Sequence, residues 1–118
     1  MSHDSEEFLA ALNDDDVLRA KLNSETATIE WPELARHFAR GVVVTVGTQV
    51  DLIDVAVGFG RDRKDDVARW LNEGVIARAN DDHARDWEQR RPLLWCVVAA
   101  PWVLVQEKPG TAVGEQIH

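Results

Sequence analysis

Cysteine is nearly absent from this chain: of 118 residues only Cys96 carries a thiol. One thiol cannot form an intramolecular disulfide, and a site built from several thiolates is excluded. A reducing, cytoplasmic setting is the expectation. Positive charge is also scarce, with 13 basic against 21 acidic residues and a formal charge of −8. That balance repels phosphate backbones and anionic lipid surfaces at long range, so nucleic acid is not an expected partner. Membrane-length apolar runs are missing too. The longest, residues 93–105, falls short of the ~20 residues a spanning helix needs, and no membrane association is expected. The first seven residues, with Asp4, Glu6 and Glu7, lack the basic region and long apolar core of a secretory signal. No Gly-rich phosphate loop, metal-ligand spacing or nucleophile with its base is visible, so no catalytic, metal-binding or cofactor-binding residue is assigned and no cofactor is expected.

What is present points to one folded domain over 1–118, with residues 1–13 and 108–118 read as mobile tails. Hydrophobic residues make up 45% of the chain, enough to build a core without metals or cross-links. Phe8, Leu9 and Leu12 suggest a short first helix over 5–12, and Val17, Leu18, Leu22 and Ile29 a second running to about Glu30. Trp31-Pro32 interrupts, since proline suits a first helical position, and a third helix closes at Gly41. The β-branched stretch 42–46 reads as a buried strand. Two helices follow, over 50–59 and from Asp62 to Gly74, with Asp62 as the cap of the second. A short strand over 75–79, a helix from Asp81 to about Arg90 capped by Asn80, and the apolar run 93–105 complete the order. Pro101 makes that run either an edge strand with a bulge or two pieces joined by a bend. The run is read as one long strand closing the sheet, bent at Pro101.

The order helix, strand, helix pair, strand predicts an α+β fold. Its core is expected to be winged-helix-like, a helix pair on a small antiparallel sheet of three strands, with an extra N-terminal helix. A generic α+β domain has the same elements.

Several stretches resemble a bacterial family of small uncharacterised proteins, a domain of unknown function. They are Leu18-Arg-Ala-Lys-Leu-Asn23, Glu25-Thr-Ala27, Trp31-Pro-Glu-Leu34, Asp66-Val-Ala-Arg-Trp-Leu71 with Gly74, Trp95, and Ala100-Pro-Trp-Val-Leu-Val-Gln-Glu107. The resemblance spans about Val17 to Glu107, and the ending APWVLVQE is its most specific part. It implies a small bacterial protein and carries no activity or catalytic residues to transfer.

Arg61, Arg63, Lys64 and Arg69 form the one local concentration of positive charge. In a winged helix they would lie where such proteins face the major groove, making them candidate nucleic-acid or partner contacts. Interleaved Asp62, Asp65, Asp66 and Glu73 favour a solvated helix face instead. His83 with Asp82 and Asp86, and Glu33 with His37, have helical spacing for a carboxylate and imidazole pair, which is also ordinary helix-surface spacing. Cys96 has the apolar neighbours of a core residue. Five tryptophans in a chain without tyrosine suggest a sticky face, with Trp95 and Trp102 as candidate interface residues. The expected function is a non-enzymatic protein-interaction or regulatory module, with a homodimer or a protein partner; the homodimer is expected through the final strand or the first helices. A winged-helix DNA-binding regulator and a small enzyme gathering His37 or His83 with acids are the alternatives.

Overall fold

The computed structural model describes residues 14–109; the helix expected over 5–12 lies outside them. The described chain runs α1 (Asp14–Glu25), β1 (Ala27–Ile29), α2 (Trp31–Ala39), β2 (Val43–Val46), α3 (Leu52–Gly60), α4 (Lys64–Asn72), β3 (Ile76–Arg78), α5 (Asp81–Arg90), β4 (Leu94–Ala99) and β5 (Trp102–Glu107). The fold is α+β. Its five strands form one mixed sheet in the order β1-β4-β5-β2-β3. All neighbours are antiparallel except β2 and β5, which run parallel.

The apolar run is two strands rather than one long closing strand. β4 and β5 form a hairpin in which Ala99 faces Trp102 and Leu94 faces Glu107, and the turn carries a cis Ala100-Pro101 peptide. Proline has no N–H for a ladder, so the run turns at Pro101 and pairs with itself. This corrects the expectation that the run is one long edge strand. β5 lies in the middle of the sheet, and β4 is flanked by β1 along Leu94, Trp95 and Cys96. Beyond Cys96, no described strand covers the outer side of β4, and Val98 is 53% exposed there.

The second expected helix also ends early. α1 stops at Glu25, and the next residues become β1 instead of continuing to Glu30. Thr26 Oγ1 donates to Leu22 O at 2.8 Å, satisfying one of the carbonyls left open at the helix end. Thr28 and Ile29 are β-branched, and extension gives them ladder partners in Trp95 and Leu94. Among the described residues the sheet thus has five strands, not three. The sheet expected to be small and antiparallel is larger and mixed.

Strict alternation divides the sheet between two cores. On one face Val44, Val46, Ile76, Val97, Ala99 and Leu104 pack with Leu22 of α1 and with Leu52, Ile53, Val55, Ala56 and Val57 of α3. On the other, Val43, Leu94, Val103 and Val105 pack with Leu34 of α2 and Trp87 of α5. Trp31 links these two helices, with ring centroids 5.6 Å from Phe38 and 5.9 Å from Trp87. The β-branched stretch is therefore buried on both faces, as its composition predicts.

α3 holds the first layer together. Asp51 caps it by accepting from Ile53 N at 2.8 Å, and most of the helix is buried although its valines are indifferent helix formers. Burial between sheet, α1 and α4 outweighs propensity here. Gly58 permits the approach of α4: a Cβ there would stand 2.7 Å from the Trp70 ring. Asp62 does not cap α4. It has φ +55°, and the cap position falls to Arg63, which makes no side-chain cap bond.

Candidate functional site

The helix pair meets the sheet near its β3 edge, leaving an apolar cleft of about 470 Å³. Gly58 and Phe59 of α3 and Val67, Ala68 and Leu71 of α4 form one wall. Val44, Ile76, Arg78 and Trp102 from three adjacent strands form the other, and Asp62 and Lys64 stand at the turn between the helices. The volume falls within the range of small-molecule sites. Leu71 is 51% exposed, an apolar side chain at the mouth of an apolar hollow.

Trp102 is fixed on two sides. Phe59 meets its ring edge to face with centroids 6.3 Å apart, and the Arg78 guanidinium lies 5.6 Å over it. Arg78 Nε donates to Gly41 O at 2.9 Å. Gly41 suits this approach: it has φ +75°, and a Cβ there would come 2.9 Å from the guanidinium. Among the described residues no carboxylate pairs with Arg78, and its terminal amino groups have no hydrogen-bond partner. Lys64 Nζ lies 4.0 Å from Asp62, with both side chains over four-fifths exposed.

The basic and tryptophan residues singled out from the sequence separate into four places. Lys64 and Trp102 come together in the cleft. Arg61 and Arg63 turn away from it to pair with Asp15 of α1; Arg61 Nε is 3.2 Å from Oδ1, and Arg63 contacts Oδ2. The Arg63 hydrogen bond, with the charges of Arg63 and Arg61, holds the Asp15 carboxyl below its usual value although desolvation opposes it. Arg69 pairs with Asp66 at 3.1 Å. The basic cluster is thus matched by acids, one of them from a helix distant in sequence. Trp95 belongs to a separate groove of about 600 Å³ with Asn23, Thr26 and Gln106, and the Lys108 ammonium lies 4.8 Å over its ring.

The histidines and the cysteine stand outside the cleft. His83 serves the start of α5: its Nδ1 accepts from Asn80 N at 3.0 Å while Asn80 Oδ1 accepts from His83 N at 3.0 Å. Asp82 pairs with Arg85, and Asp86 with Arg90, so the three do not converge. No group of three metal-ligating side chains suited to an ion occurs among the described residues. Arg90 joins Asp86, through two bonds of 2.7 Å, to Glu107 of β5. His37 contacts Arg40 at 3.0 Å, and desolvation, then the charges of Arg40 and Arg36, lower its pKa. Burial raises the pKa of the Cys96 thiol.

Sequence reasoning missed Arg78. Its neighbours in the strand gave no sign of a cation held over an aromatic ring, because both its partners, Gly41 and Trp102, are remote along the chain.

The family described as "Protein of unknown function (DUF2288)" matches residues 17–107. The chain belongs to this family. The match takes in every element of the cleft, from β2 to β5. The NMR solution structure of PA1075 from Pseudomonas aeruginosa is similar to this DUF2288 protein, with 41% sequence identity and a TM-score of 0.71. The similarity covers 86% of this chain and 94% of that one. No curated protein matches it. No described helix of the chain is long and apolar enough to cross a membrane.

Proposed function

We propose that this DUF2288 protein is a non-catalytic interaction or regulatory module that works through the cleft between the helix pair and the β3 edge. The observation that carries the reading is the exposed apolar wall of α4, with Val67, Ala68 and Leu71 facing Trp102 across a formed hollow. An apolar group entering it removes that surface from water at about 25 cal/mol per Å². The side chains at its rim, Asp62, Lys64 and Arg78, suit recognition better than bond-breaking, because no nucleophile with an adjacent base is among the lining residues. The test is binding of an uncharged apolar probe, 1-octanol, followed by amide NMR on the full chain. Shifts at Val67, Ala68, Leu71 and Trp102 are expected, and Ala68→Trp, which fills the hollow from an exposed position, should abolish them. No shift at these residues in the unmodified protein refutes the reading.

Self-association is a second reading, favoured by Val98 beside the half of β4 that no described strand covers. A sedimentation mass of one chain at tens of micromolar rejects it; a dimer should dissociate on Val98→Lys. The winged-helix likeness has its support in the succession α2, β2, α3, α4, β3, with β2 and β3 paired antiparallel. Against it stand α5, placed between β3 and β4, and the parallel neighbour β5. DNA contact through Arg61, Arg63, Lys64 and Arg69 must compete with Asp15, Asp62 and Asp66. Absence of duplex binding at low salt rejects it.

A further inference from the structure

Resting on the cleft as the working site, we propose that its occupant is a small apolar molecule ending in a carboxylate. Arg78 would receive the carboxylate, Lys64 would add a second positive charge, and Leu71, Val67 and Trp102 would cover the apolar part. The argument begins with Arg78. In a chain of net charge −8, this guanidinium has no carboxylate partner among the described residues. It nevertheless does not wander. Its Nε is tied to Gly41 O at 2.9 Å and its central carbon lies 5.6 Å over the Trp102 ring, so the side chain lines the cleft with its terminal amino groups unbonded among the described residues.

A guanidinium fixed in this way has lost much of its side-chain entropy before any ligand arrives. Its planar fork matches the two oxygens of a carboxylate. Lys64 lines the same hollow, and its nearest carboxylate, Asp62, is at the 4.0 Å limit of an ion pair and highly exposed. An incoming monoanion therefore meets two cations and one acid. A volume of about 470 Å³ suits a metabolite rather than a folded partner.

The experiment compares sodium octanoate, 1-octanol and octylamine on the full chain, using amide NMR shifts of Leu71, Arg78 and Trp102 to obtain each affinity. Octanoate should bind about two- to fivefold more tightly than octanol, the range expected from partly exposed ion pairs, and octylamine more weakly than either. Arg78→Gln should remove most of the preference for octanoate over octanol, leaving the share that Lys64 supplies. Arg78→Lys should fall between, because it keeps the charge and loses the fork. Lys64→Gln, at a highly exposed position, should lower the ratio of octanoate to octanol affinity by a smaller factor than Arg78→Gln does. Equal affinities for octanoate and octanol, or octanoate binding indifferent to both Arg78→Gln and Lys64→Gln, overturn the carboxylate proposal while the cleft reading survives. Failure of all three probes overturns both. Cleft signals that depend on protein concentration, with a doubled mass, assign the hollow to a second copy and also overturn the proposal.

Discussion

Replacing Gly58 with alanine sets two effects of opposite sign against each other inside α3. Glycine in a helix interior is about 1 kcal/mol less favourable than alanine, so the substitution should stabilise the helix by that amount. The added Cβ, however, would lie 2.7 Å from Trp70 Cζ3 and 2.9 Å from its Cη2. Both are closer than carbon atoms approach without repulsion, and the ring is too stiff to yield by rotating a distal bond. Overpacking of this kind costs about 1–3 kcal/mol. The net expectation is destabilisation by about 1 kcal/mol, or roughly 4 °C in melting temperature for a chain of this size. Trp70→Leu removes the obstructing ring, and in that background Gly58→Ala should stabilise by up to ~1 kcal/mol. The coupling between the two positions is then about 2 kcal/mol, within the range seen for side chains in contact. Urea denaturation followed by far-ultraviolet circular dichroism measures all four proteins without relying on tryptophan emission. A stabilising Gly58→Ala in the unmodified chain, or equal effects in the two backgrounds, refutes the reasoning. It would mean that Trp70 does not set the distance between α3 and α4, and hence the width of the cleft.

Arg90→Met should cost about 1–2 kcal/mol in urea denaturation, since it removes the bonds to Asp86 and Glu107 while keeping the apolar stem; an unchanged midpoint refutes this. The Arg90 bonds, partly opposed by desolvation, hold the Asp86 pKa below 3.8. Its stability contribution is therefore present above that value and lost as pH falls through the lowered one, a component Arg90→Met should diminish. His37 has a pKa below 6.5 in the folded chain, so acidification below 6.5 favours the unfolded state until the lowered value is passed. Arg40→Gln should raise that pKa in a ring-proton NMR titration, and an unchanged or lower value contradicts the assignment. Cys96, half-buried with its thiol pKa raised by desolvation, should react with iodoacetamide far more slowly in the native protein than in urea; equal rates would show that the thiol is open.

Helices α2 to α5 were legible from local chemistry. Pro32 near a helix start, Gly41 and Gly74 with positive φ at helix ends, and the Asn80 cap act within a few residues of themselves. The boundary of α1 was not, because the advantage of β1 lies in its pairing with Trp95 and Leu94, far along the chain. For the same reason the apolar run concealed a hairpin. Its residues could serve one long strand or two, and the choice depends on what lies beside them.

The sequence by itself determined that this chain is acidic, nearly free of thiols and able to bury a β-branched strand on both faces; it also marked Lys64 and Trp102. Only the tertiary structure decided which charges are spent and which remain available. Asp15 reaches Arg61 and Arg63 because α1 packs on α3. Arg78 stays without a carboxylate among the described residues because Gly41 and Trp102 hold it elsewhere. Charge pairing depends on separations of a few ångströms between elements remote in sequence, and composition carries no record of those separations.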